Sequence, residues 1–200
     1  RNQQKLKKVH KIIKNNGGKS KIIVTDVSKE DDIKKLYSKI DINRVDVLIN
    51  NAGVGIFNKI QDVSVDDWDK QINTNLRGAF LMTKYISKSM INRRKGNIVF
   101  INSIAGINPY PYSSAYVTSK YGLRGFSSSL REEMREHNIK VISVHPGAID
   151  TPFWNNIKTD FPKKEMMTSN DVADTVINAV LSQNNLVQEE IIIRRTAGDF

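Results

Sequence analysis

Five short apolar runs, separated by stretches of helical periodicity, constrain this chain more than any other feature. They are KIIVTDV (21–27), VDVLINN (45–51), NIVFINS (97–103), KVISVHP (140–146) and EIIIRR (190–195). A strand with one wet face alternates apolar and polar residues, whereas these runs barely alternate, as suits parallel strands buried on both faces. The segments between them carry helix start signals. Ser28, Ser64 and Thr168 each stand three residues before an aspartate, a capping-box-like arrangement with Asp in place of Glu. Gly17-Gly18 follows a helical pattern over about 3–14 and reads as its C-terminal cap. Repeats, low-complexity tracts and Pro/Gly linkers are absent. The expectation is a single α/β domain over 1–200, a doubly wound parallel sheet whose ligand site lies at the carboxyl ends of the strands.

Composition narrows the function classes. With 200 residues, 39% hydrophobic, the chain can bury a substantial core, and no run of about 18 apolar residues suggests a membrane span. Cysteine is absent, which excludes disulfides and thiolate chemistry, and no segment is built like a signal peptide; the expected location is cytoplasmic. The net charge of +10 would attract a polyanion, but the lysines are dispersed and mixed with acids, as in KEDDIKK and REEMREH. No basic run is interleaved with aromatics able to stack on bases, so neither a nucleic-acid nor a membrane partner is expected. The joint richness in Lys, Asn and Ile is what AT-rich codons produce.

The chemistry belongs where strands end. After the second run comes the turn Asn50-Asn51-Ala52-Gly53, whose small residues let backbone approach a ligand. The third run ends at Ser103; thirteen residues later comes Tyr116, with Lys120 one helical turn on, so the two share a face. An ammonium close to a phenol favours the phenolate, and a phenol so tuned can exchange a proton with a carbonyl or hydroxyl oxygen. By itself such a pair is a common accident. Its companions are Ser103, able to hydrogen-bond the same oxygen, and Asn75. In the helix expected from about Ser64 to Met90, Asn75 is the one polar member of the stripe Trp68, Ile72, Asn75, Ala79, Met82, Ile86, and a buried amide needs a partner. A satisfied core amide or a helix irregularity would explain Asn75 equally well in isolation.

The ordered series Asn50-Asn51-Ala52-Gly53, Asn75 in Asn-Thr-Asn-Leu, Ser103, Tyr116-x-x-x-Lys120 and Pro146-Gly147 with Thr151 beyond resembles the short-chain dehydrogenase/reductase family over essentially the whole chain. The resemblance implies a Rossmann sheet and a catalytic tetrad of Asn75, Ser103, Tyr116 and Lys120. In it Tyr116 is the acid/base, Ser103 positions the substrate oxygen, Lys120 also holds the nicotinamide ribose, and Asn75 anchors a water in the proton relay. It further implies that Asp26 and Val27 flank the adenine, that Asn51, Ala52 and Gly53 line the adenosine side, and that Ile149 and Thr151 meet the carboxamide of the nicotinamide. Arg1 stands where NADP-preferring members carry an arginine, and a guanidinium there can pair with the 2′-phosphate. The implied cofactor is NADP in preference to NAD, and the implied substrate a small carbonyl compound or alcohol. One departure is large: the family's glycine-rich phosphate-binding turn is not in this sequence. It is expected upstream, in about 35 further residues that would supply a first strand, a helix and a second strand.

Other features invite blander readings. His10, His137 and His145 show no metal-ligand spacing, so no metal is implied, and His145 beside Pro146 reads as a packing residue at a strand end. Phe153 and Trp154 suit either a substrate lid or a hydrophobic plug, and the stripe Leu123, Phe126, Leu130, Met134 suits core or oligomer interface. Leu76, Phe80 and Phe126 suggest a homodimer or homotetramer. Two rival functions stay in view, a non-catalytic dinucleotide-sensing module and a sugar-nucleotide epimerase or dehydratase. Against the second, only 80 residues follow Lys120, too few for a large substrate domain.

Overall fold

The computed structural model describes residues 1–157, 161–183 and 185–198. Four of the five apolar runs form the sheet: β1 (Val47–Asn50), β2 (Gly96–Ile101), β3 (Ile139–Pro146) and β4 (Glu190–Ile193), all parallel, in the spatial order β1-β2-β3-β4. The helices are α1 (Gln3–Asn15), α2 (Glu30–Tyr37), α3 (Val65–Ile72), α4 (Gly78–Arg93), α5 (Ser114–Arg135) and α6 (Ser169–Val180).

Both faces of the sheet are covered at β2 and β3, which is why those strands need no polar side, whereas on β1 Leu48 and Asn50 are buried and Val47 and Ile49 are exposed. Ile98, Phe100 and Val141 point into one cluster with Ala79, Ile86 and Met90 of α4 and Leu123, Leu130 and Met134 of α5. Val99, Ile142 and Val144 point the other way, onto Val172, Val176 and Ala179 of α6. The stripe along α5 is therefore core. Phe126 bridges inward to Phe100 and outward to Phe80, which stays 43% exposed.

Capping followed the sequence in two of three places. Thr168 forms a complete box with Asp171, and the Ser64 hydroxyl accepts the Asp67 N–H. Ser28 does not cap: its hydroxyl donates to Asp26 Oδ1 at 2.7 Å, and Lys29 takes the cap position of α2 without a side-chain bond. Gly17, at φ +78°, ends α1 with its N–H on Lys14 O and that of Gly18 on Ile13 O, the paired C-terminal bonds that only a left-handed residue allows.

The strand expected at 21–27 is a correction. The segment carries no ladder to β1 or to any other described strand, although its composition matches the four runs that do pair. Apolar content reports a capacity for burial; a strand also requires a neighbouring backbone. Its far end is still anchored by packing, since a Cβ placed on Gly78 would stand 2.9 Å from Val27 Cγ2.

Candidate active site

At the carboxyl ends of the strands lies a cavity of about 860 Å³. Each strand feeds it: Asn51 and Gly53 after β1, Asn102 and Ser103 after β2, Gly147, Ala148, Ile149 and Thr151 after β3, Arg195 and Gly198 after β4. Tyr116 and Lys120 enter from the first turns of α5.

Asn75 sits where the expected long helix is broken by a π-helical stretch, Asn73–Arg77, between α3 and α4. Its amide is 1% exposed and fully engaged. Oδ1 accepts the Val54 N–H at 2.8 Å, while Nδ2 donates to Val54 O and to Ser119 Oγ, both at 2.9 Å. One turn earlier, buried Gln71 accepts the Ile56 N–H at 2.9 Å. Two amides at i and i+4 thus hold the loop after β1 against α5. Sequence reasoning flagged Asn75 and passed over Gln71; the available signal was a second amide one turn from the first on an apolar helix.

Ser103 caps a single 3-10 turn, Ile104–Gly106, its hydroxyl accepting the Ala105 N–H at 3.1 Å. The same hydroxyl is hydrogen-bonded to the Tyr116 phenol, so the two oxygens converge on one point of the cavity. Lys120 is 4% exposed, and its ammonium donates to Ile101 O at 3.0 Å and Asn102 O at 3.2 Å.

The electrostatics differ from what the spacing of the pair suggested. The phenol is pushed up to about 12, chiefly by burial, with the Ser103 hydrogen bond pulling the other way. The ammonium is pushed down to about 8 by burial. Lys120 Nζ stands 5.8 Å from the centre of the Tyr116 ring, drawn away from the hydroxyl by the two carbonyls that end β2. Both shifts have the same cause, since a group out of water disfavours its charged form. The covering is aromatic: Phe57 lies 5.3 Å and Phe153 5.9 Å from the Tyr116 ring, and Trp154 stacks edge-on to Phe153 while its indole N–H donates to Ile149 O.

Of the residues assigned to a cofactor, the structure gathers Asn51, Gly53, Tyr116, Lys120, Ile149 and Thr151 around the cavity. Ala52 lies in the same turn without lining it, and Arg1, Asp26 and Val27 lie outside. Arg1 is engaged with Asp26 in an ion pair of 3.2 Å. The fit to a polar ligand is good where the strands end. A Cβ on Gly53 would reach within 3.6 Å of Asn75 Oδ1 and 4.0 Å of Lys120 Nζ, so glycine keeps open the approach to the lysine. The amide of Asn102 is buried against Gly106, its Oδ1 and Nδ2 without a hydrogen-bond partner among the described residues. Among the described residues no group of three His, Asp or Glu side chains converges as a metal site, and no helix is long and apolar enough to cross a membrane.

A parallel sheet whose central strands are covered on both faces, with a serine, a tyrosine and a buried lysine at its carboxyl rim, defines a class of nucleotide-binding oxidoreductase folds. The short-chain dehydrogenase model matches residues 1–161, and the chain belongs to the short-chain dehydrogenase/reductase family. It is 35% identical over 197 residues to the sepiapterin reductase of Chlorobaculum tepidum, spanning 98% of this chain and 80% of that protein. To the 3-oxoacyl-[acyl-carrier-protein] reductase of Thermotoga maritima it is 36% identical over 142 residues, 70% of this chain and 58% of that one. Among solved structures, a metagenomic short-chain oxidoreductase in complex with NADP superposes with a TM-score of 0.85 at 31% identity, covering 98% of this chain and 83% of the other.

Proposed function

We propose that the protein interconverts a carbonyl and a secondary alcohol, with Tyr116 as the proton donor and acceptor, Ser103 holding the substrate oxygen, Lys120 binding the cofactor ribose and supporting the phenol, and Asn75 ordering the loop that closes the site. The observation that carries this reading is the gathering of Ser103, Tyr116 and Lys120 on one cavity, the Ser103 hydroxyl near enough to lower the proton affinity of the phenol and the Lys120 ammonium 5.8 Å from the centre of the Tyr116 ring. A substrate oxygen placed between the two hydroxyls would accept from both. At neutral pH a phenol raised to about 12 is protonated, the form a reduction needs.

The cofactor is a nicotinamide dinucleotide, in line with the NADP held by the metagenomic relative, and when bound it supplies the hydride. Asn51, Ala52 and Gly53 line its adenosine side, Asp26 and Val27 flank the adenine, and Ile149 and Thr151 meet the carboxamide. Arg1, released from Asp26, pairs with a 2′-phosphate, which makes NADPH the preferred form. For the substrate, Phe57, Tyr110, Phe153 and Trp154 give the outer cavity a flat aromatic lining suited to conjugated carbonyl compounds, and the likeness to a sepiapterin reductase points the same way. The functional unit is a homodimer or homotetramer joined through the α4 and α5 faces, where Phe80 is exposed.

A panel assay following NADPH and NADH absorbance against sepiapterin, acyl thioesters, simple ketones and aldehydes tests cofactor and substrate together. Turnover of a conjugated ketone with NADPH is the expected result. Tight cofactor binding with no turnover of any carbonyl would favour a dinucleotide-sensing module.

A further inference from the structure

His145 was read from sequence as a packing residue at a strand end, and it is indeed fully buried; its polar atoms are nonetheless placed to act. The imidazole lies at the end of β3, with Nδ1 3.2 Å from the backbone carbonyl of Ser103. A carbonyl oxygen only accepts, so Nδ1 carries the hydrogen and donates it. That leaves Nε2 as a lone pair without a hydrogen-bond partner among the described residues, and Glu190 Oε1 on β4 stands 3.9 Å away, beyond hydrogen-bond reach. Two acceptors stand apart for good reason. Glu190 is turned toward α5, where Arg124 grips it with two bonds, Nε to Oε1 at 2.9 Å and Nη2 to Oε2 at 2.8 Å. Burial holds the imidazole below its ordinary value, with Glu190 opposing and Arg124 and Lys120 reinforcing, so the ring stays neutral.

The Ser103 carbonyl accepts a second bond, from the Gly106 N–H at 2.9 Å, and the Ser103 hydroxyl accepts the Ala105 N–H. The backbone that aims this hydroxyl at Tyr116 is thereby pinned from the 3-10 turn on one side and from β3 on the other.

We propose that His145 is a positioning residue: as the Nδ1–H tautomer it fixes the Ser103 backbone and so the hydroxyl that meets Tyr116, while the Arg124–Glu190 pair keeps Glu190 from competing for the ring. The inference rests on the function proposed above. It concerns no atom of substrate or cofactor, and nothing in the pattern that relates this chain to its family calls for the Arg124–Glu190–His145 arrangement.

Two experiments test it. On the cofactor-free protein labelled with 15N-histidine, a long-range proton–nitrogen spectrum near pH 7.5 is expected to show His145 as the Nδ1–H tautomer, and the Nε2–H tautomer would overturn the proposal. The second is a set of variants assayed for carbonyl reduction with NADPH. Asparagine places an amide N–H near the position of Nδ1 and glutamine near that of Nε2, so His145→Asn is expected to retain most of kcat. His145→Gln should lose about tenfold with KM for NADPH unchanged. Equal kcat in the two variants would contradict it. In a Ser103→Ala background both substitutions should become nearly silent, because the hydroxyl they act through is gone; undiminished losses there would mark a purely structural role and sink the idea. The spectrum does not depend on turnover, so it fails only with this proposal, whereas an active Tyr116→Phe enzyme would count against the proposed reaction.

Discussion

The rim of strand ends and the first 27 residues each contain an apolar run of strand-like composition, and they are held in different ways. At the rim, Asn75 and Lys120 are placed by partners distant in sequence, Val54 and Ser119 for the first and the carbonyls of Ile101 and Asn102 for the second, and the Ser103 hydroxyl is held by the Ala105 N–H of its own turn. In the first 27 residues α1 buries no residue, Val9 and Ile12 are more than half exposed, and 21–27 has no ladder. Arg1 is held there by Asp26, whose carboxylate also accepts from the Ser28 N–H and hydroxyl. The geometry proposed for catalysis is therefore a property of β1 to β4 and the helices that cover them, and Arg1 and Asp26 are separable from it.

That contrast can be broken at the rim first. Lys120→Met is expected to cut turnover by two to three decades, on the order of what one well-placed electrostatic partner contributes, and to weaken cofactor binding as well. Its effect on stability has the opposite sign. Because Lys120 is held at about 8 against an ordinary 10.5, the unfolded chain binds the proton more tightly between those values, and the wild type loses stability as pH falls through that window. Relative to wild type, Lys120→Met should be most favoured at pH 7 and lose about 3 kcal/mol of that advantage by pH 10.5, read from paired thermal melts. A constant difference across the window would contradict the burial of the charge.

Asn75→Ala should destabilise by about 2–4 kcal/mol, since it orphans the N–H and the carbonyl of Val54; denaturant unfolding measures this, and a loss under 1 kcal/mol would show that the loop is held without it. Arg1→Met acts in the separable region. It should reduce the ratio of kcat/KM for NADPH over NADH by about tenfold, the worth of one partly exposed charge pair with phosphate, and leave kcat unchanged. A fall in kcat would show that the two regions are coupled. Smallest is Thr168→Ala, which removes the cap of α6 and should cost about 1 kcal/mol with no change in turnover.

The sequence carried the fold well wherever burial on both faces left its mark, as in 97–103 and 140–146, and poorly where pairing mattered. The run at 21–27 has the composition of a strand and no neighbour. Ser28 has the spacing of a cap, yet the closer carboxylate of Asp26 claims its hydroxyl. At the site, residue identities were legible because spacing along a helix and position at strand ends are one-dimensional. Side-chain destinations were not: the i, i+4 relation put Lys120 on the face of Tyr116, while the two carbonyls ending β2 decided where the ammonium went. Gln71 stands one turn before Asn75, a spacing the sequence shows, but its destination, the Ile56 N–H, depends on how the loop after β1 folds back, which no periodic stripe through 64–90 anticipates.

The central claim is that Tyr116 transfers the proton, and Tyr116→Phe tests it with little change in volume. With the best carbonyl substrate of the panel and NADPH, turnover should fall by about two to four decades while the dissociation constant for NADPH, measured by fluorescence, stays within about twofold of wild type. Turnover retained at the wild-type rate would contradict the account.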